Sequence, residues 1–332
     1  GNNTVMVVVQ DREGVVITDE YVKSHHYFNP QTRKAEDLYS YYFPEGIRIT
    51  DINKPLTYSY VNPNWPEQYA ERQIGPFRIL YAVKDEAWLD RLDARKLAET
   101  STAVRKTAGI NFKDNRVIIL PPDLESYRKL HAQKKDELLY WYPSGFQTKD
   151  MIVMWPPSVP RYEGDAGAEY FWENEFYEIV THELTHLAVG EVTGVFSPVP
   201  VWLNEGLAVY VESRYAAEVK IYWDTVYDVC AGGRKLLSWE DAARYSTSSF
   251  PSDKARTHYA QSYKMVEYLI SAYGNAKLLR YIVSFKLPAE NTDPVDIGTS
   301  FTDNFLKIYG ITWEENLAGF EKTYREQAGT KK

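Results

Sequence analysis

Cysteine is nearly missing from this chain. Cys230 is the only one in 332 residues, which excludes an internal disulfide and a cysteine-built metal cluster. That economy suits a reducing compartment, and equally an exported bacterial protein that folds without disulfides. Long apolar runs are missing too: no stretch approaches the roughly 20 apolar residues that a membrane-spanning helix needs. Positive charge is not in excess. A formal net charge of −8 argues against a dedicated binder of nucleic acid or anionic membrane, which would carry a basic face. No internal repeat or low-complexity tract interrupts the chain. The start, Gly1-Asn2-Asn3-Thr4, has no leader and reads as a chosen boundary or as a mature end after processing. The expectation is an exported bacterial protein, secreted, periplasmic or surface-anchored, with its leader removed.

What is present is apolar and aromatic. Hydrophobic residues make up 44% of the chain, enough for a packed core rather than a disordered polymer. With 27 Tyr and 9 Trp, many rings must lie at surfaces or in clefts, where a ring with a polar tip is useful. Thr4–Val9 and Gly14–Thr18 are β-rich and flank the turn Asp11-Arg12-Glu13-Gly14, a hairpin pattern. Ile47–Ile49 and Leu56–Tyr60 are further short strands, and Asn62-Pro63-Asn64-Trp65-Pro66 breaks the chain. From Phe77 strands and helices alternate: a strand to Val83, a helix from Glu86 to about Ala108, a strand over Arg116–Leu120, a helix over Leu124–Ala132, and a strand at Met151–Trp155. Pro156-Pro157 stops that last strand and suggests a sheet edge to which an extended peptide could pair. Helices follow: Tyr170–Val189, Leu203–Tyr215, Thr257–Tyr273, Ala276–Phe285, Ile297–Tyr309 and Trp313–Gln327. The expected fold is α+β, with a β-rich N-terminal region over 1–73 and a second domain over 74–332. That domain divides into an α/β lobe over 74–190 and a helical lobe over 191–332.

One motif carries chemistry. His182-Glu183-Leu184-Thr185-His186 is an HExxH sequence. Residues four apart share a helix face, so His182 and His186 can point two imidazoles at one ion. Glu183 is rotated about 100° from His182, so it does not ligate but can take a proton from a water at the ion. A separate carboxylate must close the site. Eighteen residues after His186, the run Trp202-Leu203-Asn204-Glu205-Gly206 supplies Glu205. Two His, one Glu and an open position describe a catalytic zinc site. The segment around HExxH is itself apolar, with Ile179, Val180, Leu187 and Val189, and buried histidines need partners that a metal can provide.

The run Trp202-Leu203-Asn204-Glu205-Gly206-Leu207-Ala208-Val209-Tyr210-Val211-Glu212 resembles the second zinc motif of the gluzincin peptidases. Its spacing from HExxH is that of the aminopeptidase N group, and the segment is also similar to the bacterial peptidase MA-like domain. The resemblance implies a thermolysin-like zincin fold, a Zn2+ cofactor and hydrolysis of a peptide or protein substrate. By residue it implies ligands His182, His186 and Glu205, with Glu183 as the base. It also implies a supporting glutamate at Glu212, two turns beyond Glu205 on the same helix face and able to hydrogen-bond a ligating histidine. His258-Tyr259-Ala260-Gln261-Ser262-Tyr263 resembles the stretch that carries the family's catalytic tyrosine. Tyr259 is therefore the expected oxyanion donor, with His258 as the alternative. The chain departs from the aminopeptidases in lacking their Gly-x-Met-Glu-Asn signature; Glu173-Asn174 resembles only its tail. An endopeptidase is therefore expected over an aminopeptidase. A gluzincin-fold binding module and a zinc hydrolase of non-peptide substrates remain the rival readings.

Overall fold

The protein is described by a computed structural model over residues 9–10, 16–17, 26–29, 34–37, 69–130, 145–148, 151–159, 171–194, 199–232, 236–244, 250–286 and 297–330. The chain divides into two units, Gly1–Trp65 with Pro288–Pro294, and Pro66–Leu287 with Val295–Lys332. In the first unit β1 (Val9–Gln10) pairs antiparallel with β2 (Val16–Ile17), and β3 (His26–Asn29) with β4 (Lys34–Asp37). The expected strands at Ile47–Ile49 and Leu56–Tyr60 lie outside the described residues.

The second unit is α+β. Its sheet holds five strands in the order β5 (Tyr69–Ile74), β6 (Phe77–Ala82), β7 (Val117–Leu120), β9 (Met151–Met154), β8 (Gly145–Thr148). The outer pairs are antiparallel and the inner two parallel. Valine, isoleucine, leucine and methionine fill β7 and β9, which are buried along their whole length, as parallel strands covered on both faces must be. β5 carries exposed Glu71 and Arg72 and blunts one edge. Two expectations are corrected here. The expected boundary between Gln73 and Ile74 falls inside β5, which pairs along its length with β6. Met151–Met154 is an interior strand, and the edge beyond it is β8. An atom added at Gly145 of β8 would meet Ile179 Cγ2 at 2.7 Å, so this edge lies directly against the helix that carries HExxH.

The expected helix from Glu86 to Ala108 is two helices, α1 (Glu86–Leu89) and α2 (Ala94–Ala108). Asp93 decides the break. Its carboxylate accepts from the Arg95 and Lys96 amides at 2.7 and 3.3 Å, the role of an N-cap. The Asp93 amide donates to the Tyr177 hydroxyl at 2.8 Å, which ties the start of α2 to the motif helix.

α3 (Leu124–Leu130) precedes β8 and β9, and after β9 the described elements are helical. A π-helical turn, Phe171–Glu175, leads into α4 (Phe176–Thr193). Then come α5 (Val201–Tyr215), α6 (Ala217–Gly232), α7 (Trp239–Arg244), α8 (Ser252–Tyr273), α9 (Asn275–Val283), α10 (Ile297–Tyr309) and α11 (Trp313–Thr330). α4 is buried on nearly every side, as its continuous apolar texture requires. Its buried threonines satisfy themselves locally: Thr181 and Thr185 donate to the carbonyls of Tyr177 and Thr181 at 2.7 and 2.8 Å. α5 packs between α4 and α8. Gly206 makes that possible, because a methyl group there would lie 2.4 Å from the Ser262 carbonyl oxygen of α8. Much of the aromatic content goes into the core behind α5. The fully buried Trp202 ring meets Trp239, Tyr281, Phe301 and Trp313 at 5.5, 6.5, 6.4 and 5.4 Å. No helix among the described residues is long and apolar enough to cross a membrane.

Candidate metal centre

α4 and α5 bring three groups to one point. His182 and His186, one turn apart on α4, face Glu205 in the second turn of α5. The Glu205 Oε2 atom lies 3.3 Å from His182 Nε2 and 3.4 Å from His186 Nε2. The ligand atoms of the three residues all fall within 4.8 Å of one another. Ligands about 2.05 Å from a tetrahedral zinc ion stand about 3.3 Å apart, so the two His–Glu separations have the right scale for a shared ion. The donor set, two imidazole nitrogens and one carboxylate oxygen, is also a zinc set.

The surrounding groups agree. His182 Nδ1 lies 3.0 Å from Glu212 Oε2. Both nitrogens of one ring therefore face carboxylates. Such a ring is either an imidazolium or a neutral imidazole that donates from Nδ1 and keeps its Nε2 lone pair for an ion. Among the described residues His186 Nδ1 is buried with no hydrogen-bond partner, and so is Asn204 Oδ1, one residue before Glu205. The first is an imidazole nitrogen, which donates in one tautomer, and the second an amide oxygen, which accepts.

Glu183 is buried beside the two histidines. Tyr259 comes from α8, with its ring centroid 6.0 Å from that of His182. It lies in the second turn of that helix, which begins at Ser252 rather than near Thr257. His258 is a correction. It is fully buried, Nε2 donates to the Ala242 carbonyl at 2.9 Å, and Nδ1 faces Ser262 Oγ at 3.5 Å. Its polar atoms are committed to the packing of α7 on α8, so it is not available as an oxyanion donor. Tyr263, one turn after Tyr259, is a core residue whose hydroxyl donates to Glu267 at 3.2 Å.

Residues 168–326 match the family model of the Peptidase MA superfamily. This segment resembles a gluzincin-like peptidase domain. Among solved structures, the chain is similar to native yeast LTA4 hydrolase, at 13% identity and a TM-score of 0.47 over 73% of this chain and 36% of that one. The same enzyme in complex with bestatin gives 16% and 0.42 over the same shares. The M1 zinc metallopeptidase from Deinococcus radiodurans gives 15% and 0.39, over 78% of this chain and 50% of that one. The chain thus spans between about a third and a half of the length of these proteins. No curated protein matches the chain.

Electrostatics around the His182, His186 and Glu205 cluster separate its carboxylates. Burial alone would raise Glu205, but the charges and hydrogen bonds of His186 and His182 hold it well below the usual range. Burial raises Glu183 against the pull of the same two rings. The two carboxylates are thus shifted in opposite directions by their surroundings. Burial opposes charge on His182, yet the hydrogen bonds to Glu205 and Glu212 carry its pKa well above the ordinary value.

Two residues near the centre were not singled out by sequence. Trp223 of α6 packs on Tyr259 at 5.5 Å between ring centroids. Glu178, one turn before His182 on α4, is buried, and its pKa is pushed up to about 8 by burial and then by Glu212, Glu218 and Glu175. The spacing Glu178-x3-His182 was a usable signal; Trp223 had none. In the unfolded chain Glu178 titrates near its ordinary 4.5, while the folded protein keeps the proton to about 8. Folding stability is therefore lost as pH rises through that window. Glu178→Gln should raise the melting temperature above pH 8 and leave it nearly unchanged below pH 4.5. An equal shift at both ends would show that ionisation is not the cause.

Proposed function

We propose that this domain is a zinc-dependent peptidase that cleaves within peptide chains. The observation that carries the reading is the convergence of His182, His186 and Glu205, whose ligand atoms lie within 4.8 Å of one another in a segment of the Peptidase MA superfamily. These three residues would hold the zinc ion. A bound zinc ion would supply Lewis acidity, acidifying a water and polarising the scissile carbonyl. Glu183 accepts the proton of the attacking water and returns it to the leaving amine; its raised pKa suits a group that must both take and release a proton. The Tyr259 hydroxyl donates to the oxyanion that forms as the carbonyl is attacked. Glu212 fixes the tautomer and orientation of His182. The edge strand β8, lying against α4, offers backbone groups to an extended substrate. The absence of a Gly-x-Met-Glu-Asn segment from the 332 residues supports internal cleavage over removal of a terminal residue.

Elemental analysis of the purified chain should return about one zinc per molecule, and a quenched-fluorescence peptide library should be cleaved in a chelator-sensitive way. A well-folded protein that takes up no zinc on add-back would overturn the proposal. Glu212→Gln should weaken zinc affinity by about 10–100-fold, read by competition with a chromogenic chelator. Unchanged affinity would remove Glu212 from its supporting role.

A further inference from the structure

A line of rings leads away from the metal centre. Tyr259 stands 6.0 Å from His182, Trp223 stands 5.5 Å from Tyr259, and Tyr222 stands 4.8 Å from Trp223, all between ring centroids. Exposure grows along the line. Tyr259 and Trp223 are half-buried, and Tyr222 is 47% exposed. Half-buried aromatic faces beside a reacting centre are the kind of surface that selects among side chains.

The wall is also held in place. Lys220 and Asp224 flank Trp223 on α6, and Lys264 and Glu267 follow Tyr259 on α8. Lys264 Nζ contacts Asp224 and lies 2.7 Å from Glu267; Lys220 Nζ lies 2.7 Å from Asp224 and 3.5 Å from Glu267. Lys264 is buried. Two ammonium groups and two carboxylates thus pin α6 to α8 behind the rings and cancel in charge. The rings thus stand on two helices joined by ion pairs whose four charges cancel, so the support adds no net charge beside them.

We infer that Tyr259, Trp223 and Tyr222 form a specificity wall that receives an aromatic or large aliphatic side chain of the peptide substrate, next to the bond to be cleaved. This rests on the peptidase reading above. Burying such a side chain against the wall should favour it over alanine by about ten- to a hundredfold.

The test uses peptides that differ at one position, Phe, Ala or Asp, with cleavage followed on the wild-type chain and binding followed by fluorescence anisotropy on Glu183→Gln. The Phe peptide should bind more tightly and show the lower KM. The Phe-over-Ala ratio should collapse toward one in Trp223→Ala and in the more exposed Tyr222→Ala, which keeps the test sound if the first variant folds poorly. An unchanged ratio in both variants, or no Phe preference in the wild type, overturns the wall. So does a fall in kcat with the preference intact, which would mean that Trp223 only positions Tyr259. Cleavage without a Phe preference leaves the peptidase reading standing; selective binding without cleavage leaves the wall and removes the peptidase. Neither binding nor cleavage removes both.

Discussion

Glu183→Gln should retain its zinc and lose about 10²–10⁴-fold in kcat, the contribution of a well-placed proton-transfer group. The substitution keeps the shape of a buried side chain and removes only its ability to accept a proton. His182, His186 and Glu205 are untouched, so metal content should match the wild type. Tyr259 also remains, and some oxyanion stabilisation should survive. Paired elemental analysis and steady-state kinetics check this. A variant with full zinc and full activity would show that Glu183 takes no part in proton transfer. A variant that loses zinc would instead make Glu183 part of what holds the ion.

Trp202→Ala should cost about 3–5 kcal/mol of stability, the usual penalty for emptying a large aromatic site in a core. Trp202 is fully buried and touches four other rings contributed by α7, α9, α10 and α11. It also lies one turn before Glu205, so the cavity opens beside the residue that closes the metal cluster. Zinc affinity should fall along with stability. Trp202→Phe is the control. It keeps a ring in the cluster, and the indole N–H it removes has no hydrogen-bond partner among the described residues. Urea unfolding and zinc competition measure both effects. A loss under about 1 kcal/mol for the alanine variant would mean that the cluster closes over the cavity.

The centre was legible in sequence because helical spacing is rigid. The four-residue step between His182 and His186 fixes their common face whatever else the chain does. The seven-residue step from Glu205 to Glu212 does the same, and the structure places one carboxylate on each nitrogen of His182. His258 and Tyr259 could not be separated in this way. Adjacent helix residues differ by about 100°, and only the packing of α7 decides which of them faces the centre. α6 went unseen for a different reason. Val219, Ile221, Tyr222, Trp223, Thr225, Val226, Tyr227 and Val229 have strand-like preferences, which tertiary packing overrides. The edge strand β8 is a four-residue Gly-Phe-Gln-Thr segment, too short for alternation to register. Met151–Met154 read as an edge because of the prolines after it, yet pairing is decided by neighbours on both sides.

The contact at Gly206 bears on how the molecule moves. Its backbone meets the α8 backbone at Ser262 so closely that no side chain fits between them. Glu205 is the residue before this contact, and Tyr259 lies less than a turn before Ser262. Sliding or tilting one helix against the other would drive the Gly206 backbone into the Ser262 backbone and the Val266 side chain. The helices that carry Glu205 and Tyr259 are therefore held in close backbone contact at this point. In the proposed peptidase, gating of turnover would fall to segments outside that contact.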